Sequence, residues 1–279
     1  MVADDYRQAS LRIWDEMAAG WEDHRGTVWA ASRAVGEWLV DALDPQPGET
    51  VLELAAGVGD TGFTAAGRLG AEGRLITTDF SDQMVEAARR RADELGVSNA
   101  EFRTLDAEHM DLDDRSVDGV LCRWGYMLMR DPTAALAETR RVLRDGGRVA
   151  FSVWGDPDQN PWASIPARAL LEQTGGEPPD PFAPGIFAMA REERTRELLS
   201  AAGLEPLSVE NVEMAWRFDS VGEYWHYVID LKGALAMLVR ALPEAEQAAL
   251  SEEVGRRLEP YAEGDGYRLP GMCLNVLAA

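Results

Sequence analysis

The sequence predicts an α/β protein: a doubly wound, mostly parallel seven-stranded sheet, with a helical segment ahead of it and a helical cap inserted between the last two strands. Three observations carry that expectation. From about residue 50 to residue 154, short apolar runs alternate with stretches of helical period. A glycine-rich turn follows the first of those runs. The alternation then breaks, and mainly helical sequence separates two late strand-like segments. With 279 residues, the chain is long enough for one large α/β domain or for a domain plus a cap.

Each element has its own signal. Residues 4–19 and 28–43 carry helical periodicity, interrupted near Gly20 and Gly26 and ended by Pro45 and Pro47. The first strand is expected at 50–55, with a helix from about Asp60 to Leu69. Gly73 opens the second strand, 74–78, which ends at Asp79; Ser81 or Asp82 caps a helix reaching about Leu95. A short strand covers 100–104, and after an acidic loop the fourth covers 117–122. Pro132 fits the first turn of a helix reaching Leu143, and Asp145-Gly146-Gly147 turns into the fifth strand, 148–154. Residues 155–190 are rich in Pro and Gly, with one short helix near 162–173. Then come a helix at 191–202, a strand at 206–217, helical sequence over 220–260 with a boundary at Pro243, and a last strand at 268–278. The expected organisation is a helical segment 1–44, an α/β core 45–155 and a C-terminal part 156–279 that completes the sheet and carries the cap.

Composition narrows the function classes. Hydrophobic residues at 46% and charged residues at 27% are ordinary for a soluble globular protein. The net charge of −22 repels phosphates, which disfavours nucleic acid and anionic membranes as partners. Cys122 and Cys273 sit far apart in apolar stretches and read as core. The three histidines, His24, His109 and His226, show no metal-ligand spacing, so no metal is expected. The N-terminal stretch lacks the pattern of a signal peptide, and no apolar run reaches membrane-spanning length, so a cytoplasmic protein without membrane insertion is expected.

In an open α/β sheet, ligands bind outside the carboxyl ends of the strands, and four features fall there. The first is Glu53 with the turn Gly57-Val58-Gly59. Glycines leave room for backbone N–H groups to approach a ligand. Gly57, Gly59 and Gly62 formally match a dinucleotide fingerprint, but a dinucleotide strand would be apolar at Glu53. A carboxylate there suits a ligand with positive charge near its centre, such as S-adenosylmethionine with its sulfonium and ammonium. The second is Asp79, placed to accept hydrogen bonds from ribose hydroxyls. The third is Asp106-Ala107, where a carboxylate and an N–H could read an adenine edge. The fourth is Arg123-Trp124-Gly125-Tyr126-Met127, facing the same crevice.

With these residues in place, the chain resembles the class I S-adenosylmethionine-dependent methyltransferases. Within them it is similar to the small-molecule enzymes that include the ubiquinone and menaquinone C-methyltransferases. The resemblance rests on Glu53-Leu54-Ala55-Ala56-Gly57-Val58-Gly59-Asp60, on Thr78 to Met84, on Asp106 to Met110 and on Val142 to Arg148, and it covers residues 45–155. It implies a Rossmann-like methyltransferase fold, with S-adenosylmethionine as cofactor and S-adenosylhomocysteine as product. It further implies that Glu53 and the Ala55–Gly59 loop hold the methionine part. Asp79 would hold the ribose, Phe80 and Met84 would flank the adenine, Asp106 and Ala107 would bind it, and Arg123 and Trp124 would line the methyl region. Trp21 is the candidate for an aromatic that relatives often bring from N-terminal helices.

Methyl transfer asks the protein chiefly to align an acceptor and exclude water. If the acceptor is a phenol or an enolisable carbon, a base helps; His24, Tyr126 and His226 are the candidates, and the sequence selects none. Trp154, Trp162, Phe182, Phe187, Trp216, Tyr224, Trp225 and Tyr227 in the cap point to a small apolar or aromatic acceptor. A non-methylating reaction on the same cofactor, a non-catalytic binder and an NAD(P)-dependent oxidoreductase are the rival readings.

Overall fold

The computed structural model describes residues 2–231 and 233–279; Lys232, inside the helical stretch expected over 220–260, and Met1 lie outside the described residues. Five parallel strands form the core of the sheet: β1 (Thr50–Glu53), β2 (Arg74–Asp79), β3 (Ala100–Thr104), β4 (Val117–Arg123) and β5 (Leu143–Trp154). They are joined to β6 (Pro206–Phe218), β7 (Ala262–Glu263) and β8 (Gly266–Ala278) in the order β3-β2-β1-β4-β5-β8-β6, with β8 antiparallel to both neighbours. The chain moves outward from β1 in one direction to β2 and β3, then in the other to β4 and β5. With right-handed crossovers, α3 (Asp60–Leu69) and α4 (Asp82–Leu95) therefore cover one face and α5 (Pro132–Val142) the other. The reversal between β1 and β4 opens a crevice at their carboxyl ends, the place for a ligand in such a sheet.

The doubly wound sheet agrees with the sequence, with one strand more than the seven expected. The extra strand, β7, pairs Glu263 with Gly266 across a two-residue turn whose Gly264 has φ +62, as a tight hairpin turn requires. The sequence Glu-Gly-Asp-Gly carried that signal. β5 starts five residues before the expected 148, because Leu143 already pairs with Val117 and a bulge between Val117 and Gly119 absorbs the Asp145-Gly146-Gly147 turn.

The helices before the sheet are longer than their periodicity indicated. α1 (Val2–Asp23) runs through Gly20, and only His24 separates it from α2 (Arg25–Leu43). Gly20 serves packing there: a Cβ on it would lie 2.7 Å from the Asp230 carbonyl oxygen. Neither backbone can easily yield, so Gly20→Val is expected to destabilise the protein by about 1–3 kcal/mol in denaturant titration. α2 lies over α3 and the β5–β8–β6 half of the sheet. α6 (Pro161–Thr174) and α7 (Glu192–Ala201) follow β5. Among the described residues, the expected helical stretch between the last two long strands comprises α8 (Val221–Leu231), α9 (Gly233–Arg240) and α10 (Glu244–Leu258). α1 packs against α4 on one side and against α8 and α9 on the other, so the N-terminal helix and the cap meet above the strand ends. One apolar core runs from the sheet into the cap, and Cys122 and Cys273 are free thiols buried in it.

Candidate functional site

At the end of β1, Glu53 is buried and carries the best-defined signal of the site. Its Oε1 accepts the Gly62 N–H at 2.7 Å, while Oε2 is buried without a hydrogen-bond partner among the described residues. Burial pushes its pKa up to about 8; the Gly62 N–H and Arg123 oppose the rise, and Asp60 and Asp79 add to it. An uncompensated carboxylate oxygen is costly inside a fold, and a cationic ligand group would offset that cost. A Cβ at Gly62 would sit 2.1 Å from Glu53 Oε2, so the helix can approach this carboxylate only through glycine. Gly62→Ala is therefore expected to displace Glu53, lower stability by about 1–3 kcal/mol and weaken cofactor binding, as thermal melts and calorimetry would read.

The chain then turns sharply. Ala55, Gly57 and Gly59 have φ of +49, +56 and +85. The Gly57 N–H donates to Asp79 Oδ2 at 2.9 Å, and the Ser81 N–H to Oδ1 at 3.0 Å. Burial raises the Asp79 pKa while the N–H donors of Ser81, Gly57 and Phe80 lower it. Across the crevice, Trp124 after β4 also has a positive φ, +63. Ala55 and Trp124 thus hold left-handed conformations unusual for side-chain-bearing residues, just past the ends of the two strands that flank the reversal. Between them Gly125 closes the gap: a Cβ there would lie 2.7 Å from the Ala55 Cβ and 2.6 Å from Cys122 Sγ.

Arg123 spans the crevice wall. Its Nε donates to Thr61 Oγ1 at 2.9 Å, one nitrogen reaches Ser32 Oγ at 3.2 Å, and its guanidinium lies 4.5 Å from the Trp124 ring centroid. Burial lowers its pKa, against the pull of Asp60 and Glu53. From Trp124 a ladder of rings leads into the cap. Trp124 stacks on Trp154 at 4.2 Å, and Trp162, Trp216 and Tyr227 follow at 4.5, 4.8 and 5.1 Å. Phe182 lies outside this ladder, exposed beneath Arg194.

Sequence reasoning missed the part played by α1. Ser81 Oγ donates to Asp15 at 2.5 Å, Tyr6 OH donates to the Leu128 carbonyl at 2.7 Å, and Arg7 reaches Asp106 at 3.2 Å and Glu108 at 2.9 Å. Asp106 also accepts the Glu108 N–H at 2.9 Å. Residues following β2, β3 and β4 are thus tied to one helix. No local pattern could have shown this, because each partner is more than sixty positions away. Ala107 is half-buried beside Asp106, and Phe80 is half-buried after β2. Met84 is wholly buried, and its N–H donates to Ser81 Oγ at 3.2 Å. Trp21 packs 6.3 Å from Trp14, and its indole N–H is buried without a partner among the described residues. A cavity of about 500 Å³ is lined by Glu22, Asp23, Arg25, Gly26, Trp29 and Arg91, and Arg91 pairs with Asp60, the residue after the glycine loop.

Two candidate bases fall away. Tyr126 does not face the crevice: it is fully buried, bonded to Thr139 Oγ1 at 2.6 Å, and burial drives its pKa well above the usual tyrosine value. His226 stands on the exposed side of α8, whose inner positions belong to Tyr224 and Tyr227. His24 is partly buried, at 2.9 Å from Asp230.

A doubly wound sheet with a buried acid ending β1, a glycine turn after it and a second acid ending β2 defines an α/β protein with its candidate ligand site at the strand ends. Comparison with known proteins specifies the class. The methyltransferase-domain model matches residues 45–170. An aklanonic acid methyltransferase from Streptomyces sp. (strain C5) is 36% identical over 54% of this chain and 68% of its own length. A ubiquinone/menaquinone biosynthesis C-methyltransferase from Acidiphilium cryptum is 31% identical over 62% of this chain and 73% of its own. The chain belongs to the S-adenosylmethionine-dependent methyltransferases. A solved S-adenosylmethionine-dependent methyltransferase from Aquifex aeolicus shares the fold, with a TM-score of 0.51 and 17% identity over 87% of this chain and 88% of that one. The match spans from 37% to 74% of the length of the curated relatives.

Proposed function

We propose that this chain methylates a small, apolar or aromatic acceptor, on oxygen or carbon, with S-adenosylmethionine as donor. The observation that carries the reading is the buried, unpartnered Glu53 Oε2 beside the left-handed glycine turn. That pair fits a cationic amino-acid end, and neither NADH nor a plain nucleotide offers one.

In this reading Glu53 and the Ala55–Gly59 turn hold the methionine part, and Asp79 exchanges its loop hydrogen bonds for the ribose hydroxyls. Phe80, Asp106 and Ala107 receive the adenine, with Met84 packed beneath. Arg123 and Trp124 line the methyl region, and Trp21 supplies an indole N–H from α1. The bound donor supplies a methyl group already activated by its sulfonium. The chain's own work is then to align the acceptor and keep water out, an effect worth up to roughly 10 kcal/mol. The ladder from Trp124 to Tyr227 is buried and makes the interior beneath the cap apolar and ring-rich, surroundings that suit an aromatic acceptor better than a small polar one. A net charge of −22 argues against a nucleic-acid substrate. No helix among the described residues is long and apolar enough to cross a membrane.

The test is transfer of radiolabelled methyl from S-adenosylmethionine to a panel of 2-naphthol, a hydroxynaphthoquinone, a hydroxyanthraquinone, glycine and arsenite. Labelled product from the ring compounds alone is the expected result. Label on glycine or arsenite alone would overturn the acceptor class, and binding of the donor without transfer to any compound would favour a non-catalytic or non-methylating role.

A further inference from the structure

Two helices that are remote in sequence bring an imidazole and a carboxylate together beside the ring ladder. His24, at the corner between α1 and α2, lies with Nε2 2.9 Å from Asp230 Oδ2 on α8. Its ring stands edge-on to Tyr227, 5.6 Å between centroids at 84°, and Tyr227 is the ring that continues the ladder from Trp216. The Arg123 charge on the crevice wall also acts on Tyr227, favouring its ionised form against the effect of burial. His24 keeps 22% of its side chain exposed, enough for a ligand atom to reach it. Asp230 borders a small cavity between α1, α8 and α9, whose walls include Ile13, Met17 and Ile229. Among the described residues, Arg240 lies 3.9 Å from Asp230 Oδ1 and Glu16 lines the same cavity as the carboxylate.

A carboxylate on one imidazole nitrogen fixes the tautomer and leaves the other nitrogen as a base, the arrangement used wherever a hydroxyl must lose its proton in step with bond formation. We propose that His24 is the general base of this enzyme, held by Asp230, and that the acceptor presents an ionisable hydroxyl, a phenol or an enol, to its Nδ1. The inference rests on the methyltransferase reading above and narrows its acceptor class. In the step, the acceptor O–H proton passes to Nδ1 as the acceptor oxygen bonds the methyl carbon. The carbon–sulfur bond breaks, and its electron pair stays on sulfur as a neutral thioether. The imidazolium is stabilised by the Asp230 carboxylate until the proton leaves to solvent. Among the described residues, Tyr126 and His226 cannot take this role for the reasons given, and the Tyr224 hydroxyl is engaged in donating to the Trp162 carbonyl at 2.8 Å.

Two readouts test the proposal. In the first, independent of turnover, protein labelled with ¹⁵N-histidine and saturated with S-adenosylhomocysteine is titrated with 2-naphthol. The expected spectrum has His24 protonated at Nε2 and bare at Nδ1, with the Nδ1 resonance moved by 2-naphthol and the tautomer preference lost in Asp230→Asn. A His24 ring that 2-naphthol leaves unmoved while S-adenosylhomocysteine binds would overturn the assignment. In the second, His24→Gln is compared with wild type on 2-naphthol across pH. A kcat about a hundredfold lower or more at pH 7, an unchanged KM, and recovery toward wild type near pH 10, where a phenol ionises unaided, are expected. Loss of thermal stability with kcat intact would instead make the pair a latch between the α1–α2 corner and α8, and would overturn the catalytic role. Should wild type bind the donor yet methylate none of the ring compounds, the acceptor reading fails and the spectroscopic arm alone decides on the dyad.

Discussion

Asp79→Ala is expected to lose S-adenosylmethionine binding by a factor of about a hundred or more. The carboxylate at the end of β2 would make two charge-assisted hydrogen bonds to ribose hydroxyls, each worth about 1.5–3 kcal/mol. Asp79 also anchors the glycine turn through the Gly57 N–H, so alanine removes a ligand contact and loosens the loop together. Asp79→Asn separates the two effects. Its amide oxygen can still accept one N–H, so the fold should persist at near wild-type melting temperature while affinity still falls at least tenfold. Calorimetric titration reads both variants. Asp79→Asn binding at wild-type strength would mean that the carboxylate serves the loop and not the ribose.

The second large effect concerns Glu53 and pH. Its pKa is raised from 4.5 to about 8 by burial. Between those values the folded protein holds a proton there that the unfolded chain has released, so stability falls as pH rises from about 4.5 to about 8. Each pH unit crossed in that window removes up to about 1.4 kcal/mol. Asp79, whose pKa is also raised by burial, adds in the same direction. Glu53→Gln removes the charge, so its stability should exceed wild type at pH 8 and match it at pH 4.5, in urea titrations at both. Binding should show the opposite side of the same linkage. A cationic amino-acid end favours ionised Glu53, so below about pH 8 binding releases a proton and tightens as pH rises. Glu53→Gln should bind weakly and without that dependence. Titration in two buffers of different ionisation enthalpy measures the proton count. Zero protons released at pH 7 by wild type would contradict the placement of the ammonium at Glu53.

Much of this was legible along the chain because the signals are local. The strand–turn–helix from Val51 to Leu69, the cap at Ser81 and the first-turn Pro132 depend on neighbours within a few positions, and the strand and helix limits there agree with expectation to within a residue or two. The departures come from tertiary context. Gly20 reads as a helix break by propensity, but α1 passes through it because Asp230 needs the space. Tyr126 reads as crevice-facing from its place after β4, yet the short helical turn there aims it into the core at Thr139. The pairs that shape the upper site, Arg7 with Asp106, Asp15 with Ser81 and His24 with Asp230, join segments far apart in sequence, and composition carries no trace of them. The acceptor chemistry is the least legible part, because it depends on how the cap rings and α1 close over the sheet.

The central claim is that the crevice between β1 and β4 is built for S-adenosylmethionine. Calorimetric titration of the wild-type chain with S-adenosylmethionine, S-adenosylhomocysteine and NADH tests it most directly, with Asp79→Ala as the control. Micromolar binding of the first two, loss of both in the variant and no heat from NADH is the predicted result. Binding of NADH without S-adenosylmethionine would contradict the claim and return the Gly57, Gly59 and Gly62 turn to the dinucleotide reading.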